Sequence, residues 1–105
     1  MIACLTIQIL LERAPDFDRQ VVLDALHGAE RFPEIDEDER GAWVAFNLFT
    51  EDLSALWTQL HPVLAQSELA AVLSQAGIIV CEAEQGSGER VLFHHDSAVP
   101  LDSLP

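Results

Sequence analysis

The chain has 105 residues, half of them hydrophobic, and eighteen acids against five basic side chains, for a net charge of −13. That length suits one domain with a single core needing neither disulfides nor metals, and the apolar content excludes wholesale disorder. The charge disfavours direct contact with nucleic-acid phosphates, because all five basic residues are arginines and there is no lysine.

Ile2 to Glu12 reads as a strand. Leu5, Ile7, Ile9 and Leu11 share one face, with Thr6, Gln8 and Glu12 on the other. Thr6 and Gln8 also interrupt the only long apolar start, which has no basic leading segment or small-residue cleavage site of a signal peptide. No apolar run approaches the roughly 20 residues that span a bilayer. The expected location is the cytoplasm, with no membrane partner.

Pro15 and Asp16 open a helix, with Asp16 as its expected N-cap and Phe17, Val21, Val22, Ala25 and Leu26 as its apolar stripe. Gly28 stops it. A short second strand is expected from Ala29 to Ile35, demoted to an edge by Pro33. The run Asp36 to Gly41 reads as a turn. Ala42 to Phe49 is a third strand, apolar on both faces: Val44, Phe46 and Leu48 on one, Trp43, Ala45 and Phe49 on the other.

Thr50, Glu51 and Asp52 start a second helix whose Leu53, Leu56, Trp57, Leu60 and Leu64 follow helical spacing. Pro62 is expected to break or kink it near His61. Ser67 is expected to cap a further helical piece ending at Gly77. Ile78 to Glu84 and Arg90 to His95 read as strands joined by a turn over 85–88. Residues 1–95 form one expected domain and 96–105 a C-terminal tail.

The element order β-α-β-β-α(α)-β-β resembles the split βαβ pattern of ferredoxin-like domains. The resemblance is to a fold and implies no activity. It implies an α+β ferredoxin-like sandwich, an antiparallel sheet with helices on one face, and a fifth strand extending one edge. The third strand is then central. With Val44, Phe46 and Leu48 toward the helices, Trp43 and Phe49 face the uncovered side and call for a cover: a second copy, another protein, a ligand or the tail through Val99, Leu101 and Leu104.

Few residues carry a chemical signature. The acids Glu34, Asp36, Glu37, Asp38 and Glu39 are dense, but an EF-hand loop starting at Asp36 fails at Arg40 and Asn47. His94 and His95, adjacent in a strand, are expected to point to opposite faces and not to grip one ion. His94 and Asp96 share a face, without a third ligand or a nucleophile. His27 and His61 sit near helix ends. Gly86-Ser87-Gly88 lacks the lysine and following helix of a phosphate loop. Cys4 and Cys81 lie in apolar runs on strands expected to be neighbours, as reduced thiols. No cofactor or metal is implied.

The favoured expectation is a non-enzymatic acidic binding domain, of inhibitor, immunity or adaptor type, that acts on a basic protein partner. Glu34 and the acids Asp36 to Glu39 steer that partner while Trp43 and Phe49 anchor it. Self-association through the open sheet face is the other contact considered. The alternative is a small dimeric ferredoxin-like enzyme or ligand-binding domain with a pocket on that face and His94, His95 or His27 as acid–base groups.

Overall fold

Alternation in the first strand decides the architecture. Over Ala3–Leu10 (β1), Ala3, Leu5, Ile7 and Ile9 are buried, while Cys4, Thr6, Gln8 and Leu10 are half-exposed on the other side. A strand with one fully apolar side needs helices on that side only. The computed structural model, which describes residues 2–84 and 88–104, supplies them.

The chain runs from β1 through α1 (Arg19–Gly28), β2 (Glu34–Glu37), β3 (Trp43–Thr50), α2 (Leu53–Leu64), α3 (Ser67–Ala76) and β4 (Gly77–Glu82) to β5 (Arg90–His94). The strands form one antiparallel sheet in the order β2-β3-β1-β4-β5. The first four strands take the ferredoxin-like arrangement expected from the element order, and β5 adds to the β4 edge. Leu5, Ile7, Ile9, Val44, Phe46, Leu48, Ile79 and Cys81 from the sheet meet Val22, Leu26, Leu56, Leu60, Leu69 and Leu73 from the helices in one core.

Local chemistry moved several boundaries. The cap of α1 is Asp18, not Asp16: its Oδ1 accepts from the Gln20 amide at 2.9 Å. This choice leaves Phe17 just outside the helix, edge-on to Phe46 with ring centroids 6.4 Å apart. Asp52 caps α2 by accepting from the Ala55 amide at 3.0 Å. Pro62 does not break α2 near His61. It lies in the last turn, and the helix runs on to Leu64 because Leu60 and Val63 are buried and the Ala65 amide still reaches the His61 carbonyl. Ser67 is the first residue of α3; its N-cap is Gln66, which makes no side-chain capping bond.

Helix α3 passes into β4 with no loop between them. Gly77 serves as C-cap and first strand residue. A Cβ there would lie 2.6 Å from Leu73 Cδ2 and 2.8 Å from Leu73 Cα, so only glycine fits this junction unshifted. The second strand begins at Glu34, directly after Pro33, and not at Ala29. Of the turn expected over 85–88, residues 85–87 lie outside the described residues, while Gly88 has a positive φ (96°). Among the described residues no helix is long and apolar enough to cross a membrane.

The described part of the C-terminal tail, 96–104, returns to the sheet. The Val91 amide donates to Asp102 Oδ2 at 2.8 Å, and the Asp102 amide donates to the Val91 carbonyl at 2.7 Å. Leu104 packs against the core. The segment therefore lies along the free edge of β5, and β1 and β4 separate it from Trp43 and Phe49 on β3. It cannot be their cover.

Candidate functional site

Among the described residues no helix packs on the far side of the sheet, and that open face gathers part of the expected site. Strand pairing places residues on it directly. Phe49 lies beside Cys4, Asn47 beside Thr6, Ala45 beside Gln8 and Trp43 beside Leu10. On the β2 side, Glu34 lies beside Asn47 and Asp36 beside Ala45. On the other side, Glu82 lies beside Cys4 and Val80 beside Thr6.

The two aromatics do not make one patch. Six strand positions separate Trp43 from Phe49, about 20 Å along β3. Trp43 is half-buried, whereas Phe49 is 52% exposed beside Ile2, itself 56% exposed. Ile2, Cys4, Phe49 and Glu82 line an open depression of about 370 Å³. Next to it, Cys4, Thr6, Val80, Cys81, Glu82 and Glu89 line a smaller one of about 160 Å³. Between the aromatics the surface is polar: Thr6 donates to Asn47 Oδ1 at 2.7 Å, and Asn47 Nδ2 donates to the Glu34 carbonyl at 3.3 Å.

The acidic run is divided by strand alternation. Asp36 to Gly41 is not one turn, because β2 takes Glu34–Glu37. Glu34 and Asp36 rim the open face. Glu37 points to the helix side, where its carboxylate meets Arg19 at 2.8 Å. Asp38 shapes the turn: its Oδ2 accepts from the amides of Arg40 and Ala42 at 3.1 and 3.0 Å, and Gly41 closes the turn at φ 76°. Glu39 is exposed at the turn. Of the seven residues expected to meet a partner, Glu34, Asp36, Trp43 and Phe49 share the open face, and Glu37, Asp38 and Glu39 do not.

Glu82 and Glu89 extend the acidic rim on the opposite side, a feature sequence reading missed. Glu82 follows the apolar run of β4, and its face could have been taken from the period of two; Glu89 lies in the irregular stretch before β5, where no period applies. The arginines lie elsewhere. Arg13 Nε donates to the Gln75 carbonyl, Arg19 meets Glu37, Arg31 donates to Gln59 and Arg90 reaches the Ser103 carbonyl, while Arg40 stands in the β2–β3 turn.

The histidines group differently from expectation. His94 and His95 do not diverge: their ring centroids are 4.5 Å apart. The strand ends at His94, so His95 escapes the alternation that would have sent it to the opposite face. His94 Nδ1 accepts from the Asp96 amide at 3.0 Å. Burial, the Arg13 charge and the neighbouring His94 hold the His95 imidazole below its ordinary pKa, against the opposing pull of Asp96. His27 packs on Phe32 and His61 on Trp57. Neither open-face depression is lined by a histidine. Among the described residues no three His, Cys, Asp or Glu side chains are grouped as metal ligands.

Cys4 and Cys81 are on neighbouring strands but opposite faces. Cys4 is half-exposed, with its sulfur 3.6 Å from Thr6 Oγ1, and Cys81 is buried in the core, where burial raises its pKa. Their side chains point apart, which a disulfide does not allow.

Compared with protein-family models, with curated proteins and with solved structures, the chain matches none.

Proposed function

We propose that this protein is a cytoplasmic, non-enzymatic acidic binding domain that engages a basic protein partner through the open face of its sheet. The observation that supports this most is the exposed Phe49–Ile2 cluster on the sheet face that carries none of the described helices, with Glu82 beside it and Glu34 and Asp36 further along the same face, opposite Asn47 and Ala45. Exposed apolar area rimmed by charge is the composition of a contact surface: the apolar centre gives lasting affinity and the rim speeds encounter. A second copy as occupant would bring −13 against −13, a repulsion that a basic partner turns into attraction.

Affinity capture at low salt tests the reading. Wild-type protein and a triple variant, Glu34→Gln, Asp36→Asn and Phe49→Ser, are compared on the same native lysate by mass spectrometry. A basic protein retained by the first and lost by the second is the expected result. Equal retention of every protein on both would refute the reading.

A further inference from the structure

The two edges of the sheet are treated differently. At β5 the segment after the strand occupies Val91 through both its amide and its carbonyl. At β2 none of the described residues pairs the outer side, and all four strand residues are exposed. The direction of the free backbone groups follows from the hairpin. The Asp38 amide donates to the Trp43 carbonyl at 3.0 Å, so hydrogen-bonded pairs recur at Asp36 with Ala45 and Glu34 with Asn47. Ile35 and Glu37 therefore turn their N–H and C=O groups outward, to the sheet's edge.

We propose that this edge takes up an extended, basic segment of a protein partner as an added strand. The inference rests on the proposed function and assigns it a mode of docking. Strand addition draws affinity from main-chain hydrogen bonds and specificity from alternating side chains. Here the alternation is legible. Glu34 and Asp36 flank the added strand on the open-face side, so its residues there are arginine or lysine. On the helix side stand Ile35, 41% exposed, and Glu37, already paired with Arg19, with Phe32, 73% exposed, just before the strand against His27 of α1; Ile35 and Phe32 favour an apolar residue opposite them. The same charges exclude the usual hazard of a free edge, which is pairing with its own copy. Two β2 edges brought together would oppose acid with acid, whereas a basic strand meets no such barrier.

The probe is a ten-residue peptide of alternating arginine and valine, acetylated and amidated, added to isotope-labelled protein. The amides of Ile35 and Glu37 are expected to shift and to become protected from exchange. Ile35→Pro removes one outward N–H and leaves the bonds to β3 intact, since proline is tolerated where a strand amide faces solvent. Affinity should fall about fivefold, the worth of one such bond, with the unfolding midpoint unchanged. A peptide of equal charge, N-methylated at alternate residues, tests the same bonds with the protein unaltered and should bind at least as weakly. Binding that ignores the methyl groups, or shifts confined to Cys4, Phe49 and Glu82, would overturn strand addition. In that case loss of binding in Phe49→Ser would still uphold the open-face reading. Failure of the lysate capture would instead remove the functional reading itself.

Discussion

A single strand, β3, displays both sides of this molecule. Toward the helices, Val44, Phe46 and Leu48 are exposed by 1%, 0% and 3%; one residue beyond Leu48, on the other side, Phe49 is exposed by 52%. The chain spends comparable apolar chemistry on both faces, yet only one enters the core. The difference separates residues that specify the fold from residues whose hydrophobicity folding does not use. On the covered face each side chain is answered by a helix. On the open face the centre is closed by Thr6 and Asn47 bonding to each other, and the ends leave Phe49 exposed and Trp43 half-buried.

The largest expected effect breaks the comparison if it fails. Phe46→Ala should cost about 3–5 kcal/mol, since it leaves a cavity in a sealed core. Phe49→Ala, three residues on, should change stability by about 0.5 kcal/mol or less. Urea unfolding of the two variants measures both. Similar losses would mean that Phe49 belongs to the core after all.

Much of this contrast was legible in the sequence. The alternation of β1 and of β3 fixed which residues face the helices, because a period of two admits only two choices and the helices carry one apolar stripe each. What escaped were places where tertiary packing chose between equivalent local signals. Asp16 and Asp18 are both competent caps, and the fit of Phe17 against Phe46 selected the second. The acids between Glu34 and Glu39 look alike in sequence, but pairing with β3 sends Glu34 and Asp36 one way and Glu37 the other, and two backbone amides claim Asp38. The stacking of His94 on His95 depends on where β5 stops, which the histidine pair itself does not reveal.

That division sharpens a second, smaller effect. Asp38→Ala should destabilise by about 1 kcal/mol in thermal unfolding, through loss of its bonds to the Arg40 and Ala42 amides. Glu34→Gln and Asp36→Asn, on the open-face rim, should leave the melting temperature unchanged. An Asp38 variant as stable as wild type would return that residue to the pool of free acids.

The smallest effect concerns the far end of the sheet. His95 binds its proton less readily when folded than when unfolded. The unfolded chain therefore takes up the extra proton first, and stability declines slightly as pH falls below about 6.5 toward the lower folded value. Proton NMR titration of the His95 ring should show the depressed midpoint, and Arg13→Gln should raise it. A midpoint that ignores Arg13 would place the cause in burial and the neighbouring His94.

The central claim is that the uncovered, acid-rimmed face exists for a basic partner. Its most direct test is the association rate of the captured partner, followed by stopped flow from low salt to about 1 M, where charges are screened beyond roughly 3 Å. The account predicts a rate that falls steeply with salt, with Phe49→Ser raising the dissociation rate and leaving that slope intact. A rate indifferent to salt would contradict it.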